Sequence, residues 1–433
     1  MNTVVALELG SEKLACAVAS FEIEAGKGPR ILGFATAPSK GIKRAQIIDI
    51  QETTHALEGC ITQAERMAGM RINRASVVIS GPSIASQTSH GIVAVNYQNQ
   101  DIQEADVVRA IDSAKAVSLP ANREIIHVLP REFIVDGQGG IKNPVGMRGI
   151  RLEVDTHIIT AGSTNLNNIQ KACSLLGVEV QSYIFAGLAS SYAVASDTEK
   201  ELGCIVLDIG GGTTDVCVYS DGAIVYTSVI PLGSKNVTSD IAAGLRVSLT
   251  SAEKIKLFLA ESESHTLRKT SSLVKEIESV GDELSVKNLN LIERLESVSK
   301  KLLIQGIIKP RLEEIAEYIQ KELREFRLKD QTPAGVIITG GGALTPFIDE
   351  LLKKELALPV RIGYPMELTG ISDELRDPSY ASLVGTLLYR PEEKKTEPMF
   401  SMPDFGNILK KFDLDSVIKK TVDFFKSFIP GTK

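Results

Sequence analysis

Runs of apolar residues, closed by turn residues, mark the strands of this chain. "CIVLDI" (204–209) is apolar at five of six positions and reads as a buried strand. "DVCVYS" (215–220) reads as its partner. The Asp-Gly pair at 221–222 is a hairpin signal, and it leads into a third strand, "AIVYTSVI". Gly210, Gly211, Gly212, Thr213 and Thr214 therefore form the tip of an antiparallel hairpin. The N-terminus repeats the pattern. "VALELGSEKLACAVAS" (5–20) has strand, acid, glycine, small polar residue and second strand. Leu7-Glu8-Leu9-Gly10 mirrors Leu207-Asp208-Ile209-Gly210, and Cys16 sits in its strand much as Cys217 does. Two such hairpins far apart in the chain suggest duplicated α/β domains facing one ligand.

Helical periodicity appears elsewhere. "RLEEIAEYIQKELREF" follows Pro310 and places Leu312, Ile315, Ile319, Leu323 and Phe326 on one stripe, read as core packing. "GVIITGGGALTPFIDELLKKEL" (335–356) reads as strand, glycine turn and then a helix from about Thr345, with Leu351 and Leu352 inward. After a Pro- and charge-rich linker, the chain ends in "FDLDSVIKKTVDFFKSFIPGTK". Leu414, Val417, Ile418, Val422, Phe424, Phe425, Phe428 and Ile429 share one face of that helix. The opposite face carries Asp415, Lys419, Lys420 and Lys426. Such a tail reads either as a docking helix for a groove on the body or as a helix lying in a membrane interface. Lysines outnumber aspartates there, which gives mild attraction to anionic lipid.

The chemistry follows from the hairpins. Glycines let a backbone approach a ligand and aim several N–H groups at one point, which makes an anion cradle. Threonine hydroxyls add donors. Asp208, at the end of its strand, is placed to hold a metal that escorts phosphate. Mg2+ suits it, bound through water. Lys13 supplies a charge for a β- or γ-phosphate. Gly340, Gly341 and Gly342 form a third cluster. Glu253 and Lys256 stand three apart, hence on one helix face, and could bracket a ribose or purine edge. No phosphate-binding G-x-x-x-x-G-K-[ST] motif is present, and no G-x-G-x-x-G follows a strand.

Composition narrows the class. The chain has 433 residues and a net charge of −6, so no basic footprint for nucleic acid exists and no nucleic-acid partner is expected. The five cysteines lack C-x-x-C spacing, which disfavours a zinc site or disulfide framework. His55, His90, His127, His157 and His265 show no metal spacing and read as structural or surface groups. The N-terminus has no basic and apolar leader, so no signal peptide is expected. No run reaches the length of a transmembrane helix.

The order "ELGSEK", "DIGGGTTD", "SAEKIK", "ITGGGALTPFIDELL" resembles the actin-like ATPase superfamily. "GIVAV", "HVLPREFIVDGQGGIKNPVGMRGIRLEVDTHIIT", "IFAGLASSYAVASDTEKELG" and "VRIGYP" narrow the resemblance to FtsA, the family of bacterial cell-division homologues of actin. The resemblance covers roughly residues 1–391 and is weakest between about 258 and 305. It implies an actin-like (ribonuclease H-like, duplicated) α/β fold with ATP and Mg2+ in a cleft. Gly10, Ser11 and Lys13 would belong to the first phosphate loop and Gly210–Thr214 to the second. Glu8 and Asp208 would serve metal and water, Glu253 and Lys256 the nucleoside. Gly341 and Gly342 would let the backbone pass adenine. The superfamily usually carries Asp where Glu8 stands. Actin's water-positioning glutamine has no counterpart in "FAGLASSYAV" (185–194), so the resemblance implies ATP binding with slow turnover at best.

The same resemblance implies the domains. The first actin-like half takes 1–82, 165–200 and 372–391, with a family-specific insert at 83–164. The second half takes 201–247 and 331–371, around a variable subdomain at 248–330. A linker (392–412) and an amphipathic membrane-targeting tail (413–433) follow. Implied partners are the C-terminal peptide of the tubulin homologue FtsZ, further copies of the chain in a polymer, membrane lipids and other division proteins. The implied location is the inner face of the cytoplasmic membrane at the division site. The competing readings are a pilus-type actin homologue that docks a membrane partner, an actin-fold small-molecule kinase, and a chaperone-type ATPase.

Overall fold

The computed structural model describes residues 2–21, 28–95, 101–266, 282–371 and 373–389. The tail residues Leu414 to Ile429 lie outside the described residues. Two central sheets organise the body.

The first sheet contains β1 (Asn2–Leu9), β2 (Lys13–Phe21) and β3 (Arg30–Pro38). Two short strands, β4 (Ile42–Lys43) and β5 (Gln46–Ile47), pair beside it. Helix α1 (Ile50–Ala68) then leads to β6 (Arg74–Ile79). Asp49 starts α1, its side chain accepting from the amide of Glu52. The chain leaves at this point for an insert. β7 (Ala85–Ala94), β8 (Arg123–Val135), β9 (Gln138–Ile141) and β10 (Arg151–Gly162) form a separate antiparallel sheet in the order β7-β10-β8-β9. Helix α2 (Glu104–Ala114) packs on it over a small core of Ile102, Ala110, Leu152 and Val154. The chain returns through α3 (Ser163–Ser174) to β11 (Glu179–Phe185), then crosses over through α4 (Ala186–Val194) and α5 (Asp197–Leu202).

The second sheet contains β12 (Cys204–Ile209), β13 (Thr214–Ser220) and β14 (Ala223–Ile230). These three strands fall where the apolar runs predicted them. Helices α6 (Ser234–Leu245) and α7 (Leu249–Thr266) follow. Within the variable stretch 248–330, a small hairpin of β15 (Glu283–Ser285) and β16 (Ser297–Ser299) comes next. A wide π-type turn at Leu302–Ile308 runs into α8 (Lys309–Glu325). Leu312, Ile315, Ile319 and Leu323 of the predicted stripe are buried there. Phe326 instead lies at the helix end, 48% exposed, with its ring 4.4 Å from that of Tyr226. β17 (Val336–Thr339), α9 (Ile348–Leu356), β18 (Val360–Ile362), β19 (Thr369–Gly370) and α10 (Ala381–Leu388) complete the body. Helix α9 begins at Ile348 rather than near Thr345. Residues 341–344 take a 3-10 turn, Pro346 contributes no N–H, and Phe347 has a left-handed φ of 65°.

Strand order reveals the duplication. β3-β2-β1-β6-β11 in one sheet matches β14-β13-β12-β17-β18 in the other. In each, an antiparallel three-strand meander is extended by parallel strands reached through crossovers. Helices α4 and α10 cross between the sheets at backbone contact. A Cβ on Gly385 would stand 1.7 Å from the carbonyl oxygen of Ala189.

Candidate functional site

The carboxyl ends of β1 and β12 open on one cavity of about 850 Å3. Ligands of parallel α/β sheets bind at such strand ends. Glu8, Gly10, Ser11, Lys13, Asp208, Gly210, Gly211, Gly212, Thr213, Glu253, Gly340 and Gly341 all line it. The sequence reading placed these residues in one site from four separate stretches, and the fold brings them together.

The two hairpin turns are built alike. The amide of Gly10 donates to the carbonyl of Lys13 at 3.1 Å, and the amide of Gly210 to that of Thr213 at 2.8 Å. These two amides close their own turns, so the amides that follow them would form any anion cradle. The turns also touch each other. A Cβ on Gly212 would stand 2.8 Å from the Ser11 hydroxyl oxygen, and Lys235 pairs with Glu12 across the gap. Gly340 leaves β17 with a φ of 79°, and a Cβ there would stand 2.2 Å from Oδ1 of Asp208. Glycine is required at that point by conformation and by space.

The acids are held by hydroxyls. Ser190 on α4 donates to Asp208. Ser80, just past β6, donates to Oδ1 of Asp215 at 2.5 Å and lies 3.3 Å from the hydroxyl of Thr213. Burial pushes the Glu8 carboxyl up to about 7; Lys13 pulls it down and Asp208 raises it further. Burial raises Asp208 as well, against the Ser190 bond and Lys13. Asp215 is raised by burial first and then by its neighbour Asp208. Burial lowers Lys13, while Glu8, Asp377 and Asp208 push it back up. Its ammonium donates to the hydroxyl of Ser379 at 2.8 Å and lies 3.3 Å from the centre of the Tyr380 ring.

Burial favours the neutral form of these acids, and a cation among them would favour the charged form instead. Oε2 of Glu8 is buried with no hydrogen-bond partner. Among the described residues, no three His, Cys, Asp or Glu groups stand close enough to hold a metal by themselves. The donors are hard oxygens and few. They fit an ion that keeps most of its water and shares an anionic ligand, as Mg2+ does.

Three residues expected in the site stand outside the cavity. The hydroxyl of Thr214 turns to the carbonyl of Leu232 at 2.9 Å, because alternation along β13 sends it to the face away from the cleft. Gly342 is buried under Ile209, where a Cβ would stand 2.3 Å from Cγ2, so its role is packing. Lys256 is 3% exposed; its ammonium lies 2.9 Å from Oε2 of Glu253 and 3.1 Å from the Thr238 hydroxyl. It sits behind Glu253 and braces it. Sequence reasoning assigned no role to Ser80, Ser190, Asp215, Ser379 or Tyr380. Only Asp215 carried a local signal, since it closes the glycine motif seven residues after Asp208.

Comparison with known proteins agrees with this architecture. Residues 81–160 match the SHS2 domain inserted in FtsA, and residues 205–385 match the family described as cell division protein FtsA. The cell division protein FtsA of Borreliella burgdorferi (strain ATCC 35210) is 38% identical over 394 residues, covering 91% of this chain and 92% of its own. The Escherichia coli K12 protein of the same description is 35% identical over 391 residues, covering 90% of each. Among solved structures, the PilM-PilN type IV pilus biogenesis complex superposes with a TM-score of 0.61 at 16% identity, over 89% of this chain and 97% of that one. MreB5 of Spiroplasma citri bound to ADP gives 0.52 at 15%, over 90% and 96%. At those identities the structural likeness speaks for the fold alone. On the sequence matches, this chain belongs to the FtsA family of cell-division proteins, actin homologues built on the duplicated fold described above.

Proposed function

We propose that the cleft binds ATP with Mg2+ and that nucleotide state controls assembly of the chain into a polymer that tethers FtsZ filaments to the membrane. One observation carries the nucleotide reading: two hairpins of like build, each ending in an acid and a glycine turn, face a single cavity. That arrangement suits a polyphosphate held from both sides. The turn following Gly10 and the turn following Gly210 would each present amides to it. Lys13 would meet phosphate oxygens, and Glu253 and Gly341 line the same cavity where a nucleoside would lie. Glu8 and Asp208 would hold hydrated Mg2+, which offsets charge on the phosphates and on the leaving oxygen. The turns of the two halves already touch, so a ligand that binds both would tie their relative position to its own phosphate count.

The rest of the proposal draws on membership of the family and on the sequence of the tail. The helix of 413–433 would lie in the membrane interface through Leu414, Val417, Ile418, Val422, Phe424, Phe425, Phe428 and Ile429. One such helix binds reversibly, and many copies aligned in a polymer convert weak binding to firm attachment. The region 248–330 would receive the C-terminal peptide of FtsZ, and other division proteins would join at the inner face of the membrane. No described helix is long and apolar enough to cross a membrane. Liposome co-sedimentation tests the proposal, with the full chain against a 1–412 truncation, each with and without Mg-ATP. Pelleting of the full chain alone, strengthened by Mg-ATP, is expected. Lipid binding retained by the truncation would overturn the role of the tail.

A further inference from the structure

The two hairpins differ at one position that packing does not explain. In the first, Glu8 faces Ala15 across the strand pair. In the second, Asp208 faces Asp215. Residues directly opposed in an antiparallel pair share a face, and like charges there are unfavourable. The fold is built without such a pair in its first copy, so the second copy keeps Asp215 for another reason.

Its surroundings suggest that reason. Asp215 is 3% exposed and lines the cavity. Ser80 from the opposite half donates to its Oδ1 at 2.5 Å. Gly187, in the first turn of α4, lies so near that a Cβ there would stand 3.3 Å from Cβ of Asp215. The charged groups that act on it are Asp208 and Glu8. Helix α4 itself, "AGLASSYAV", offers no glutamine, asparagine or acid toward the cleft. Asp208 is held by Ser190, and together with Glu8 it serves the metal in the reading above. Asp215 is the acid of the second hairpin left over by that assignment. Ser80 occupies one of its oxygens, and the other can accept from a water.

We propose that Asp215 orients the attacking water on the γ-phosphate of bound ATP, with Ser80 as the residue that positions its carboxyl. This rests on the nucleotide reading of the cleft. In the step, the water oxygen bonds to the γ-phosphorus while the bond from that phosphorus to the β–γ bridging oxygen breaks. The electron pair leaves with ADP. One proton stays on the attacking oxygen and the other passes to a non-bridging γ-oxygen, so phosphate departs as H2PO4−. Asp215 accepts a hydrogen bond from the water and ends unchanged.

The test separates binding from turnover on the full chain. Mg-ATP affinity is measured by titration calorimetry, and hydrolysis by single-turnover release of phosphate, for wild type, Asp215→Asn, Ser80→Ala and Ser80→Thr. Asp215→Asn should lower the hydrolysis rate about 100-fold, the scale set by a misplaced reactant, with affinity within about 3-fold of wild type. Its melting temperature should be no lower than wild type, since one of two opposed carboxyls is removed. Ser80→Ala should lose about 10-fold in rate, and Ser80→Thr should restore most of it. Hydrolysis by Asp215→Asn at the wild-type rate overturns the inference while the nucleotide reading stands. So does a wild type that binds Mg-ATP and never hydrolyses it. A wild type that binds no Mg-ATP removes the nucleotide reading, and this inference with it.

Discussion

The hairpin of residues 2–21 and the hairpin of residues 204–220 have the same strand order, the same turn closure and an acid at the same place. They differ in what surrounds the acid. The first copy has one glycine in its turn, a lysine at its end and an alanine opposite its acid. The second has three glycines, two threonines and an aspartate opposite its acid. The parallel neighbours differ too. Ile79 ends β6 and Ser80 follows it, while Gly340 and Gly341, at the matching positions, follow β17. One scaffold has thus been given two jobs. The first copy supplies positive charge and the bracing hydroxyl of Ser80. The second supplies close backbone approach and the extra carboxyl.

Changes that erase this division of labour should matter in proportion to what they remove. Gly340→Ala is expected to have the largest effect. It places a Cβ 2.2 Å from Asp208 Oδ1 at a φ of 79°. Stability should fall by about 3 kcal/mol or more in chemical denaturation, and Mg-ATP binding should weaken about 100-fold or more in calorimetry. Ile79, which stands where Gly340 does in the other copy, already carries a full side chain.

Next comes the charge of Glu8 in the nucleotide-free protein. Its carboxyl is raised from 4.5 to about 7 by burial first. Between those values the folded state holds a proton that the unfolded state has lost. Stability therefore falls as pH rises from about 4.5 to about 7 and levels off above, by about 3 kcal/mol at most. Glu8→Gln should make that slope shallower in denaturation curves taken across the range, with the raised Asp208 and Asp215 keeping the remainder. An unchanged slope would mean that the Glu8 carboxyl is not the group responsible.

Lys13→Ala removes the single ammonium of the first turn and should weaken Mg-ATP binding about 10-fold, or about 1.4 kcal/mol. Equal affinity would place the charge elsewhere. The smallest effect belongs to the junction of α5 with the second sheet. Arg361 donates to both carboxyl oxygens of Glu199, at 2.7 and 2.8 Å, and that pairing holds the acid down at about 2. The depressed acid contributes stability above its ordinary range, and that contribution is lost as pH falls toward 2. The pair is partly exposed, so Glu199→Gln should cost only about 0.5–1 kcal/mol in denaturation at neutral pH.

Much of this was legible in the sequence where it depends on neighbours along the chain. A continuous apolar run sets β12, an Asp-Gly pair sets the turn into β14, and the repeated acid-glycine pattern exposes the duplication. What was not legible depends on register and on facing. Asp215 and Asp208 become opposed only when the antiparallel pairing is set. Ser80 reaches Asp215 from 135 positions away. Helical spacing puts Glu253 and Lys256 on one face, yet it does not say that this face turns Lys256 into the interior. Strand alternation shows that Thr213 and Thr214 point oppositely, but only the packed sheet shows which of them meets the cavity.

The central claim is that two unlike copies of one hairpin close on a single nucleotide. Titration calorimetry of the full chain with Mg-ATP, for wild type and Lys13→Ala, tests it most directly. The account predicts saturable binding at one site per chain, weakened in the variant. Absence of binding by wild type up to about 1 mM would contradict it.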